Sequence, residues 1–191
     1  MSDSLSRSSG VSGASVAALL APTAPPEPLS VIAARVGATL RTRGETVAVT
    51  ESSAGGLVSA ALLAVPGASA YFLGGAIVYS RRAGKGLLGL TADDMVGIRG
   101  ETEPYAQLVA GKARDIHRAT WGISESGAAG PVGSPYGDPA GRVCLAVVGA
   151  TVMRETVVTG ETDRATNMDL FARYLLVLFE RTLDAQGTDP E

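Results

Sequence analysis

Apolar residues recur every three to four positions in some stretches of the chain and every second position in others, and the switching between these periods predicts its elements. In SVIAARVGATLRTRG, residues 30–44, Ile32, Val36 and Leu40 share one helical face, with Ser30 placed to cap the start and Gly44 to stop it. TVAVT, 46–50, alternates and is β-branched, so a strand is expected; it runs into a turn and a helix, GGLVSAALLAV, that Pro66 closes. AYFLGGAIVYS predicts a second strand, whose inner pair Gly74 and Gly75 calls for a bulge or a close approach of another backbone. RRAGKGLLGL leaves helix and loop open because two glycines weaken a helix, while TADDMVGI carries a capping threonine and acidic first-turn residues that favour a short one.

Thr102 ahead of Pro104 marks the start of a helix through TEPYAQLVAGKARDIHRA, with Tyr105, Leu108 or Val109, and Ile116 on its apolar side. WGISES and RVCLAVVGA read as strands around the loop GAAGPVGSPYGDPA, and RETVVTG as a strand close behind. A last long helix from about Asp163 to Ala185 places Leu170, Tyr174, Leu175, Leu178 and Leu183 along its apolar side. Strands separated by helices of this length predict an α/β fold, a three-layer αβα single domain with a mixed, mostly parallel sheet and ligands in the crevice beyond the strand ends. That domain is expected over residues 29–187. Residues 1–28, rich in Ser, Ala and Pro and without periodicity, read as a disordered tail.

Composition narrows the function. The 191 residues suit one domain, 46% of them are hydrophobic and 18% charged, and no apolar run reaches the roughly 20 residues of a membrane helix. A formal charge of -3 lacks the basic excess that nucleic-acid binding requires, so the expected partner is a small molecule rather than nucleic acid or membrane. A homo-oligomer stays open. The single cysteine, Cys144, rules out an internal disulfide, fits a cytoplasmic location and reads as a buried small hydrophobe. With one histidine, His117, expected on a helix surface, there is no cluster at ligand spacing, and neither a metal nor a cofactor is expected.

The chemistry gathers at the first strand-to-helix turn, TESSAGG. Ser52 or Ser53 could simply cap the helix, which is worth about 1 kcal/mol. Gly55 and Gly56 add something a cap does not need, since paired glycines at a helix start let a ligand reach exposed amides that favour an anion or oxyanion. A serine nucleophile also needs a base. His117 sits mid-helix, which leaves Tyr79 at a strand exit and Lys85 as candidates. The glycine and proline loop after WGISES, which includes Gly127 and Gly130, can wall a pocket with backbone amides and Ser126.

Together these stretches resemble the C-terminal domain of the competence-damage-inducible protein CinA, over about residues 30 to 184. The family's turn of an acidic residue, Ser, Cys, Thr, Gly, Gly appears as Glu51, Ser52, Ser53, Ala54, Gly55 and Gly56. Its VPG appears as Val65, Pro66 and Gly67, and its Gly-Gly and Tyr-Ser as Gly74, Gly75, Tyr79 and Ser80; LLGL at 87–90 also matches. Its Thr-Gly-x-Ala-Gly-Pro corresponds to Ser126 through Pro131, and its Pro-Val-Gly-Thr-Val to Pro139 through Val143.

The resemblance implies a metal-independent amidohydrolase that converts nicotinamide mononucleotide and water to nicotinate mononucleotide and ammonia. Ser52 would be the nucleophile, activated by Tyr79 and a nearby lysine. The glycine-flanked amides would hold the oxyanion and the Ser126–Pro131 loop would line the nucleotide site; Glu51, Ser53 and Arg164 complete the expected binding set. The chain departs from the pattern in four places. The lysine five residues after the family's Tyr-Ser tyrosine is displaced by one, from the position of Gly84 to Lys85; Ala54 replaces the turn threonine; Asp138 replaces a loop lysine; and the second of two arginines at the start of the last helix is Asn167 or Met168. A one-residue shift turns a helical side chain by about 100°. The alternatives are a catalytically inactive nucleotide-binding or regulatory domain, and an amidase for another small amide.

Overall fold

Val47–Glu51 (β1) is buried at all five positions, and the sheet is built around it. The computed structural model describes residues 26–187. β1 pairs in parallel with Phe72–Ile77 (β2) on one side and with Trp121–Ala128 (β3) on the other. β3 continues antiparallel into Arg142–Val148 (β4) and then Val152–Val158 (β5), giving the order β2-β1-β3-β4-β5. Four strands therefore run one way and β4 alone is reversed. The expected mixed, mostly parallel sheet is present, and β1 lies where the order 2-1-3 changes direction, the place where open α/β sheets leave a crevice.

Helices Leu29–Arg43 (α1), Leu57–Leu63 (α2) and Arg164–Gln186 (α5) cover one face. Their core includes Ile32, Val36, Leu40, Leu62, Phe171, Leu175 and Phe179 against Val47, Val49, Ile123 and Leu145. Arg81–Leu88 (α3) and Glu103–His117 (α4) cover the other face, where Ala106 and Ala110 pack on Cys144 and Ala146. The alanines let α4 sit close to the strands, which is why Ile116, expected on its apolar side, is instead exposed. On α5 the fully buried seam runs through Phe171, Leu175, Leu178, Phe179 and Leu183, leaving Leu170 and Tyr174 half-buried.

Capping differs from expectation at one end of the chain. α1 starts one residue before Ser30, with Pro28 as its cap residue and no side-chain cap, whereas Gly44 ends it in the left-handed region as expected. Thr102 caps α4 by accepting from the Tyr105 amide, and Asp163 caps α5 by accepting from Thr166. The Gly74 pair also behaves as expected. The β1–β2 register slips between Val47 and Ala48, opposite Phe72 and Gly74, and a Cβ on Gly74 would stand 2.5 Å from His117 Nε2. His117 is accordingly half-buried rather than on the open helix surface.

Of the expected tail, residues 1–25 lie outside the described residues. Residues 26–28 are tied down, with the Pro26 carbonyl accepting from Arg173 Nη1 at 3.1 Å and Glu27 paired with Arg35 at 2.8 Å. Among the described residues no helix is long and apolar enough to cross a membrane.

Candidate functional site

The strands β1, β2, β3 and β5 end on the same edge of the sheet, and the segments that leave them enclose a pocket of about 410 Å³. This is within the usual size of small-molecule sites. Ser52 and Ser53 come from the turn after β1, and Tyr79 and Arg81 from the exit of β2. Ser126, Gly127 and Gly130 come from the end of β3, and Arg164 from the first residue of α5. Seven of the eleven residues expected at a site from the sequence therefore line one pocket: Ser52, Ser53, Tyr79, Ser126, Gly127, Gly130 and Arg164.

The other four do not. Lys85 is exposed on α3 and absent from the pocket wall; the helix begins at Arg81, so the one-residue displacement aims this side chain into solvent. Glu51 is buried and acts on the fold. Its carboxylate accepts the amides of Gly56 at 2.9 Å, Val58 at 3.0 Å and Ser59 at 2.9 Å, and the Ser59 hydroxyl at 2.6 Å. It thus caps α2 from the strand, satisfying donors that a short helix would leave open. Gly56 gives its amide to Glu51 and cannot hold an oxyanion, and Gly55 is not part of the pocket lining. Their value lies in φ angles of 68° and 103°, which let the chain turn from strand to helix.

Beneath the turn lies Glu125, a residue the sequence reading passed over. It is 1% exposed, and its Oε1 accepts the amides of Ser52 at 2.5 Å and Ala54 at 2.7 Å, while its Oε2 accepts the Ser53 hydroxyl at 2.6 Å. Burial raises its pKa to about 7, against the pull of those three hydrogen bonds and with some help from the Glu51 charge. A carboxylate in the middle of the strand pattern WGISES was the available signal, because a buried Glu needs dedicated donors. Ser53 is therefore held from below. Its amide, unlike those of Ser52, Ala54 and Gly56, has no acceptor among the described residues.

The pocket's charged groups are disposed unevenly. Arg164 donates through Nη1 to the Gly130 carbonyl at 3.0 Å and through Nη2 to the Tyr79 hydroxyl at 3.4 Å, and neither it nor Arg81 meets a carboxylate among the described residues. Ser126 is buried, and its hydroxyl accepts the Glu101 amide at 3.2 Å. Glu101 itself stands at φ 59°, with its carbonyl accepting from Arg142 Nη1 at 2.8 Å and with Oε2 buried and unpartnered. The Ser52 hydroxyl makes no hydrogen bond to any described group. No cluster of three or more His, Cys, Asp or Glu side chains is placed to hold a metal among the described residues.

Comparison with known proteins places this pocket in context. The family model described as the CinA C-terminal domain matches residues 29–183. A CinA-like protein of Prochlorococcus marinus (strain MIT 9313) is 46% identical over 110 residues, which is 58% of this chain and 26% of that relative. One from Myxococcus xanthus (strain DK1622) is 40% identical over 135 residues, 69% of this chain and 32% of the relative. The chain thus spans about a quarter to a third of the length of these relatives. Among solved structures, the competence damage-inducible protein A from Klebsiella pneumoniae subsp. pneumoniae MGH 78578 superposes with a TM-score of 0.77 at 26% identity, covering 83% of this chain and 98% of that one. A CinA superfamily protein from Klebsiella pneumoniae 700603, at 24% identity and a TM-score of 0.78, shares the fold over 83% of this chain and 99% of that one.

Proposed function

This chain belongs to the CinA C-terminal domain family, and we propose that within it the protein is a metal-independent amidohydrolase acting on the carboxamide of nicotinamide mononucleotide or a related pyridine nucleotide. The observation that carries this reading is the convergence of Ser52, Tyr79 and Arg164 on one pocket at the strand ends. Ser52 Oγ attacks the carboxamide carbon and ammonia leaves. Water then cleaves the resulting ester to release the carboxylate product and restore the serine.

Three features support the assignment of roles. The Ser53 amide is the unoccupied donor of the turn within the pocket wall, suited to the developing oxyanion. With Lys85 in solvent, Tyr79 is the remaining group to take the Ser52 proton: it does so as the phenolate, to which Arg164 Nη2 donates, and the phenol so formed hands the proton on to the departing amine. Arg81 and Arg164, without carboxylate partners among the described residues, suit the phosphate of a nucleotide.

A second reading, a nucleotide-binding domain without turnover, is favoured by the exposed Lys85 and the unbonded Ser52 hydroxyl. One experiment separates the two: ammonia release from nicotinamide mononucleotide in the presence of chelator, together with calorimetric binding, for the wild type and Ser52→Ala. The hydrolase reading expects release that the variant loses while still binding. Binding without release supports the second reading, and wild-type-level release by the variant removes Ser52 as nucleophile. Absence of binding overturns both.

A further inference from the structure

The loop between β3 and β4, which borders the pocket, carries an aromatic ring that the catalytic reading does not use. Tyr136 lines the pocket and is 44% exposed. Exposed rings on glycine and proline loops usually owe nothing to their surroundings, but this one is held from several directions. The Arg99 guanidinium carbon lies 4.9 Å from its centroid, covering one face. Arg99 is itself fixed by a two-pronged pair with Asp138, Nη1 to Oδ2 at 2.7 Å and Nη2 to Oδ1 at 3.1 Å. Asp138 accepts the Ser134 hydroxyl at 3.0 Å, and Ser134 Oγ in turn accepts the amides of Tyr136 at 3.1 Å and Asp138 at 3.2 Å.

The ring is therefore set in place before any ligand arrives. Tyr136 lines the pocket and Arg99 does not, so the guanidinium lies against the ring from outside the pocket wall. Asp138 sits between Arg99 at 2.7 Å and Arg142 at 3.4 Å and offsets part of their charge behind the ring. Phosphate binding by Arg81 and Arg164 would need none of this assembly. A flat partner would, because a pre-ordered aromatic face offers stacking without first losing side-chain freedom.

We propose that Tyr136 is a stacking platform for the planar heteroaromatic ring of the nucleotide bound in this pocket, and that the Arg99–Asp138 pair is there to hold it. The inference rests on the pocket taking a nucleotide, but not on the nucleotide being hydrolysed. Tyr136 determines specificity through ring contact, while Arg99 and Asp138 act through Tyr136 and are positioning residues.

The test is calorimetric titration of the full chain, as wild type, Tyr136→Phe and Tyr136→Leu, with three probes: nicotinamide mononucleotide, adenosine monophosphate and ribose 5-phosphate, which lacks a ring. Tyr136→Phe keeps the face and should bind the tighter mononucleotide within about twofold of wild type, whereas Tyr136→Leu should lose about tenfold, within the range for base–aromatic stacking. Affinity for ribose 5-phosphate should be the same in all three proteins. Equal loss on both kinds of ligand, or no loss on the nucleotide, overturns the platform. So does a wild type that binds no mononucleotide more tightly than ribose 5-phosphate. Tight binding of nicotinamide mononucleotide without ammonia release, with the expected Tyr136 pattern, upholds the platform while removing the hydrolase reading. Thermal melts of the variants within a few degrees of wild type exclude a folding origin for any loss.

Discussion

Replacing Glu125 by glutamine should remove a pH dependence of stability that the wild type carries across neutral pH. In the folded chain burial holds this carboxyl at about 7, compared with 4.5 when it is free of the fold. Between those values the folded state keeps a proton that the unfolded state has lost. The unfolded state binds fewer protons there, so unfolding free energy falls as pH rises, and the fall ends once pH exceeds about 7. The interval, at about 1.4 kcal/mol per pH unit, amounts to about 3 kcal/mol.

Glutamine has nearly the same shape. Its carbonyl oxygen can accept the Ser52 and Ala54 amides, and its NH2 group can donate to the Ser53 hydroxyl, so the turn keeps its three contacts without a titrating group. Relative to wild type, Glu125→Gln should therefore gain about 3 kcal/mol between pH 4.5 and pH 7.5, or roughly 6–12 °C in Tm for a domain of this size. Urea or thermal unfolding of both proteins in matched buffers reads the difference, and background titrations common to both cancel. A stability difference that stays constant within about 0.5 kcal/mol over that range would show that Glu125 ionises at its ordinary value, and the account of the buried carboxylate would fail.

Two further outcomes follow from the placement of single side chains. Lys85→Ala should leave stability within about 0.5 kcal/mol and ammonia release within twofold of wild type, because the side chain is exposed and outside the pocket; a large loss of turnover would return the lysine to the mechanism. Glu101→Gly should raise Tm by about 2–4 °C, since it relieves a left-handed backbone at a residue with a Cβ and removes a buried unpartnered oxygen, together outweighing the added freedom of glycine when unfolded. A lower Tm in differential scanning calorimetry would show that the carboxylate supports the fold.

Much of the architecture was legible because periodicity and punctuation are local signals. Thr102 before Pro104, Asp163 ahead of the last helix and Gly44 after the first each mark an end through their own chemistry. Two positions of the α5 seam, Leu170 and Tyr174, were misplaced because a long helix with apolar residues on much of its surface gives its period little contrast, and the neighbouring α1 and β4 decide which stripe is covered. At the candidate site, residue types on adjacent strand ends pointed to side chains that the fold gathers around one pocket. What could not be read was which polar group serves the fold and which the cavity. Glu51 and Glu125 are both acidic and both hold the turn, yet the partners of Glu51 lie along α2, and Glu125 reaches the turn from the neighbouring strand β3. That assignment is made by tertiary contact, as is the pairing of Arg99 with Asp138, 39 residues away.

The two carboxylates that grip the Ser52 turn, one from its own strand and one from the next, divide the labour of the molecule. The turn is fixed by elements that also hold the sheet together, so it has no freedom to adapt to a newcomer. The β3–β4 segment is braced mainly by its own side chains and by Arg99 and Arg142, and exchanging it would leave the turn untouched. Evolution could thus retain one reactive corner while trading the surface that chooses its guest, and a laboratory graft of residues 131–140 from a relative is the corresponding engineering route to altered selectivity.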